Sequence, residues 1–102
     1  MAKGYWMVHV ELNDAEAFNA YVAAVIGVFA KYDARYLARA GQFEAVEGSA
    51  RSRNTIVEFP SYQTAVDCWH SVEYQAAKAL RENAGRVDIT IVEGYEGSQP
   101  GA

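Results

Sequence analysis

The alternation from Tyr5 to Leu12 does most to limit how this chain can fold. Trp6, Val8, Val10 and Leu12 share one parity and are all apolar, while Tyr5, Met7, His9 and Glu11 share the other and are mixed. A period of two describes a strand with one face in a core and the other in a less dry setting. Stretches of helical period follow and strand-like stretches return. The chain must therefore lay a one-sided sheet against helices.

Asn13-Asp14-Ala15-Glu16 opens the first helix, with Asn13 read as its cap and Glu16 in the capping-box position. Phe18, Tyr21, Val22, Val25, Phe29 and Tyr32 then recur at spacings of three and four, giving a broad apolar stripe. Gly27 interrupts it at a cost of about 1 kcal/mol relative to alanine. Asp33-Ala34 reads as a turn, and residues 35–46 as a long second strand bent or bulged at Gly41. Gly48-Ser49-Ala50 is loop, and residues 53–59 form a third strand stopped by Pro60. Ser61 caps a short helix reaching Trp69, and Ser71 starts another that runs to Ala84, with Gly85 as its stop. Residues 86–95 are the fourth strand, and the Gly, Ser, Gln and Pro of residues 96–102 make a loose tail behind a single domain spanning 1–95.

Counting the paired helices as one unit, the order is β-α-β-β-α-β, a split β-α-β motif repeated, with a four-stranded antiparallel sheet. Right-handed crossovers place the helices on one side. The other side would carry Met7, His9, Asn54, Ile56, Glu58, Thr90 and Val92, a surface too apolar for water and too polar for a simple core. It is either a half-wet open face or a face closed by a partner sheet.

Composition narrows the function classes. At 102 residues there is room for one domain, and 51% hydrophobic with 22% charged residues excludes a disordered chain. The net charge is −4, and the nine Lys and Arg are scattered, with only Arg51 and Arg53 close together. Neither the basic stripe of a nucleic-acid binder nor that of a membrane-surface protein is visible. A lone cysteine, Cys68, and an N-terminus without a leader-like apolar run point to a cytoplasmic protein. One cysteine and two histidines make a metal site unexpected. No phosphate loop or nucleophile elbow is present, and no cofactor is expected.

Several segments are similar to one known family. They are Gly4-Tyr5-Trp6, Arg53-Asn54-Thr55-Ile56-Val57-Glu58-Phe59-Pro60-Ser61, Ser71-Val72-Glu73-Tyr74-Gln75, Leu80-Arg81 and Val92-Glu93-Gly94-Tyr95. Over residues 4–95 the chain resembles the bacterial family called domain of unknown function 1330. The resemblance implies a ferredoxin-like fold of the dimeric α/β-barrel superfamily, with two sheets packed face to face. Members of that superfamily include cofactor-free monooxygenases, muconolactone isomerases and haem enzymes, as well as proteins without known activity. Where the family usually has Gly-Gly after the first helix, this chain has Asp33-Ala34.

The candidate site is His9, Glu58 and Arg39. His9 and Glu58 fall on the helix-free face, which in the family reading lines the barrel interior, and Arg39 matches a position the family fills with arginine. His9 would move a proton and Glu58 orient it or act as a second base, while Arg39 would grip a carboxylate or enolate oxygen. The plainer alternative is neutralised charges in a dimer interface. Arg53, Tyr74 and Arg81 also match family motif positions and read more simply as a helix-to-sheet polar clamp. Two functions remain. One is a homodimeric, cofactor-independent enzyme acting on a small acidic or aromatic molecule as an isomerase, lyase or monooxygenase. The other is a ligand-binding or structural homodimer without chemistry.

Overall fold

The computed structural model describes residues 2–101. Its elements run β1 (Gly4–Leu12), α1 (Ala15–Lys31), β2 (Arg35–Arg39), β3 (Arg53–Phe59), α2 (Tyr62–His70), α3 (Val72–Ala79) and β4 (Gly85–Glu93). The strands form one sheet in the order β2-β3-β1-β4 with every neighbour antiparallel, the ferredoxin-like arrangement. Two layers result, and the body is only 16 Å along its shortest axis.

The alternation of β1 decides which face meets the helices. Trp6 and Val10 are buried, as are Val57 and Phe59 on β3, and all lie under Phe18, Tyr21, Val25, Val28 and Phe29 of α1 together with Ala65, Cys68 and Tyr74 of α2 and α3. Trp6 sits at the centre. Its ring meets Phe29 and Tyr74 edge-on at 5.3 and 5.0 Å and tilts against Phe59 at 5.3 Å, and its Nε1–H donates to the Ala65 carbonyl at 2.9 Å. Burying the indole adds apolar area, edge-on ring contacts and a satisfied N–H together. An ion pair between Lys31 and Glu73 ties α1 to α3 at the surface.

Local chemistry sets the boundaries, with four differences from the sequence reading. Asp14, one residue beyond Asn13, caps α1, its side chain accepting from Ala17 N at 3.1 Å, while Asn13 N and Asp14 N both donate to the Ala84 carbonyl. Ser61 and Ser71 cap α2 and α3 as read. The helix after Ser71 ends at Ala79, and turns carry the chain from Leu80 to β4, which spans Gly85–Glu93. The second strand is much shorter than residues 35–46. A bulge between Tyr36 and Ala38 shifts its register, and at Ala40, with φ 47°, the backbone turns out of the ladder. Ala40 N is then satisfied by Asn54 O and Thr55 Oγ1 at 3.0 and 3.2 Å, and residues 40–50 continue as an exposed arm. At the Asp33-Ala34 turn it is Asp33 that takes the left-handed conformation, with φ 56°, and the residue suits it.

Two glycines test this packing in opposite directions. A Cβ on Gly4 would lie 2.5 Å from Ser61 O and 2.7 Å from Tyr62 Cα, both backbone atoms, whereas Gly27 has open space around it. Gly4→Ala is expected to destabilise the protein by about 1–3 kcal/mol through forced backbone movement. Gly27→Ala is expected to stabilise it by about 1 kcal/mol, with thermal midpoints moving by about 4–8 °C per kcal/mol. Urea and thermal melts read both, and a Gly4→Ala variant as stable as the parent would contradict the close β1–α2 approach.

Candidate functional site

His9 and Glu58 both project from the helix-free face, in separate clusters. His9 lies opposite Asn54 on β3 and Asp88 on β4. Its Nδ1 is 2.8 Å from Asn54 Oδ1, and Asn54 Nδ2 donates in turn to the Arg51 carbonyl at 3.2 Å. Because that second bond fixes the amide, Nδ1 carries the proton, and Nε2 is left as an acceptor in the neutral ring. Arg51 closes the cluster through Nε and Nη2 bonds of 2.7 Å to Asp88. The exposed arm lies over this end of the face, making two shallow cavities of about 260 Å³ each, one beside Phe43 and one beside Ser49 and Arg51.

Glu58 belongs to the other end. Tyr5 Oη donates to its Oε2 at 3.3 Å, and Arg35 Nε lies 3.7 Å from Oε1. Burial and the adjacent carboxylate push the Tyr5 hydroxyl above its ordinary range, so it remains a donor. Tyr5 is the register partner of Glu58, and His9 stands four residues further along β1, about 13 Å away at ordinary strand rise. Within one chain the two do not form an acid–base pair.

Arg39 sits at the β2 margin, where it lines the cavity beside Phe43 together with His9 and also a cavity on the helix side. The bulge in β2 inserts one residue, which restores Ala38 to the open face and turns Arg39, paired with Thr55, to the helix side. There its guanidinium lies 4.5 Å from the centroid of Tyr36. Arg53, at the start of β3 and on the same parity as Val57 and Phe59, lies 5.8 Å from the centroid of Phe18. Between them opens a cavity of about 230 Å³ under α1, floored by Trp6, Phe29 and Val25 and edged by Asn19 and Thr55. Among the described residues no carboxylate pairs with either arginine. The sequence motifs suggest for Arg53 no more than a part in a polar clamp. A charged residue on the core parity of its strand was the signal that it lines something other than packed side chains.

At the α3 side of this cavity Tyr21 Oη meets Tyr74 Oη at 2.9 Å, and Tyr74 Oη accepts from Arg81 Nη2 at 3.1 Å. Burial raises the Tyr21 hydroxyl far above its ordinary range, so it stays a protonated donor at any physiological pH. Cys68 is fully buried and burial pushes its thiol up to about 12. Among the described residues no group of three or more His, Cys, Asp or Glu is placed to hold a metal ion, and no helix is long and apolar enough to cross a membrane.

A ferredoxin-like α+β sandwich with an arginine-edged cavity beneath its first helix is the class these features define. The family model described as domain of unknown function (DUF1330) matches residues 3–95, and the chain belongs to that family. Among solved structures it is similar to RPA0582, a protein of unknown function from Rhodopseudomonas palustris, with TM-score 0.76, 21% identity and coverage of 94% of this chain and 85% of that one. It also resembles an ethyl tert-butyl ether d (EthD) family protein, BH0200, of Bacillus halodurans C-125, with TM-score 0.57, 13% identity and coverage of 93% and 100%. A conserved protein of Bacteroides thetaiotaomicron VPI-5482, described as a possible oxidoreductase, gives TM-score 0.52, 14% identity and coverage of 90% and 97%. No curated protein matches the sequence.

The Cys68 environment has a direct consequence. A thiol held protonated and out of solvent is a poor nucleophile, so Cys68 is expected to resist a thiol reagent at pH 8 in the native state and to react fully in denaturant. A native reaction as fast as that of free cysteine would show that the α2 layer opens readily.

Proposed function

We propose that this protein is a homodimeric binder of a small carboxylate with an apolar body, held under α1 by Arg39 and Arg53. One observation carries the reading: among the described residues, two guanidinium groups without a carboxylate partner edge a mostly apolar cavity. Arginine matches a carboxylate through paired N–H donors, and its cost of partial burial falls when an anion arrives. At about 230 Å³ the cavity is below the ~300–1,000 Å³ usual for drug-sized ligands, so a small molecule fits. His, Cys, Asp, Glu and Lys are all missing from its lining. Arginine, tyrosine, threonine and asparagine bind and orient, and such a set supports binding more directly than proton transfer.

The homodimer reading rests on the helix-free face. Met7 and Val92 are 39% and 41% exposed there, Phe43 of the arm is 49% exposed, and Ile56 lies in the middle of the sheet. A second sheet would cover these side chains, and the charges around them already have partners in Asp88–Arg51 and Glu58–Arg35. The buried, protonated Cys68 fits a reducing, cytoplasmic setting.

A second reading, catalysis on the open face, is favoured by the His9 geometry. With Nδ1 committed to Asn54, Nε2 is presented to the cavity beside Phe43 as a proton acceptor. Glu58 would then act from another position, such as the facing sheet of a second copy.

Thermal melts with a panel of small carboxylates separate these readings. An acid of matching size is expected to raise the midpoint of the parent. Arg39→Gln and Arg53→Gln are expected to lose that rise while folding normally. Loss in His9→Ala or Glu58→Gln, with Arg53→Gln still responding, would move the site to the open face, where Arg39 also lines the cavity. No response of the parent to any acid would overturn the α1 reading.

Sedimentation tests the dimer. The parent at micromolar concentration is expected at twice 11.2 kDa, and Ile56→Lys at 11.2 kDa. A parent that sediments only as a monomer would refute the pairing.

A further inference from the structure

Beyond Tyr21 and Tyr74, on the opposite side from the α1 cavity, the helix layer holds another opening of about 210 Å³. Trp69 of α2, Lys78 of α3 and Arg81 of the following turn bound it, with Val87, Ile89 and Ile91 of β4 as its wall. Those three β4 residues pair with Val10, Val8 and Trp6, which puts the opening on the helix side of an edge strand. A partner packed on the helix-free face would leave it open.

Arg81 is the anomaly. It is only 8% exposed, yet among the described residues its guanidinium makes a single hydrogen bond, from Nη2 to Tyr74 Oη, and its Nε, enclosed by protein, has no partner. The guanidinium also stacks 4.9 Å from the centroid of Tyr21, a contact that favours a cation without neutralising it. Arginine carries five N–H donors and cannot shed its proton in a protein. A buried charge with no counter-charge is costly. Among the described residues no carboxylate pairs with Arg81 or with Lys78. Clamping Tyr74 uses a single donor, which a neutral side chain could supply. The remaining donors, the positive charge and the second cation at Lys78 are left without a structural use.

We infer that the cavity between α3 and β4 binds a small organic monoanion, its carboxylate against Arg81 and Lys78 and its flat apolar body against Trp69, Ile89 and Ile91. The inference does not depend on the α1 cavity. It adds a second site, separated from the first by the two tyrosine hydroxyls.

Benzoate is the probe, followed by residue-resolved NMR titration of the full chain, with neutral benzamide as its isostere. Benzoate is expected to shift the amides of Lys78, Arg81 and Ile89 and to bind at least about tenfold more tightly than benzamide, as a charge-assisted contact requires. Arg81→Gln and Lys78→Gln are each expected to weaken benzoate severalfold. The double variant Arg39→Gln/Arg53→Gln is expected to leave these shifts intact even though it empties the α1 cavity. Arg81→Gln can loosen the fold through Tyr74, whereas Lys78 is outside the core, so Lys78→Gln and the benzamide comparison decide the matter in that case. Equal affinity for benzoate and benzamide, undiminished binding in Lys78→Gln, or shifts confined to α1 and β2 would each overturn the assignment.

Discussion

The indole of Trp6 hydrogen-bonds to the Ala65 carbonyl while its ring touches Phe29, Phe59 and Tyr74, so β3 and all three helices take their positions from one side chain of β1. In a two-layer body 16 Å thick there is no second core to compensate for it. The cavities follow from the same arrangement. Large rings fill the centre of the helix layer, and toward β2 on one side and β4 on the other the wall side chains no longer meet the helices. The openings under α1 and beside α3 are the two margins of a core built around one tryptophan.

The two faces of the sheet treat charge differently, and in a chain of net charge −4 that contrast is informative. On the helix-free face the cations are answered: Arg51 by Asp88 and Arg35 by Glu58. A face whose charges are already compensated loses less when it is covered. On the helix side Arg39, Arg53 and Arg81 have aromatic rings for neighbours and no acid. Acidic residues are plentiful elsewhere in the chain, so the lack of them here marks the helix side as the place where an anion would meet the least competition.

Much of the fold was legible because each signal was local. Alternation in β1 and β3 gave the buried parity, and Ser61 and Ser71 gave the starts of α2 and α3. The second strand is shorter than its sequence pattern because its end is set by Ala40, whose left-handed backbone is held by Thr55 and Asn54 across the sheet. Gly41, the residue that looked like the interruption, is its neighbour. The site was less legible for a related reason. A bulge at Leu37, flanked by no glycine or proline, turned Arg39 toward the helix side, so that it meets His9 only at the sheet margin beside Phe43 and lies apart from Glu58. Parity arguments hold only while the count of residues along a strand is unbroken.

The same bulge bears on how the molecule behaves when crowded. An open sheet ends in two rims of unpaired amides and carbonyls, and such rims recruit other chains into polymers. Here one rim, β2, is five residues long, kinked at its middle and bracketed by Arg35 and Arg39. The other, β4, is nine residues long but sets Arg86 and Asp88 along its outer half. Lateral growth meets a strand too short to template on one side and fixed charges on the other. Both rims are thus blunted against zippering edge to edge.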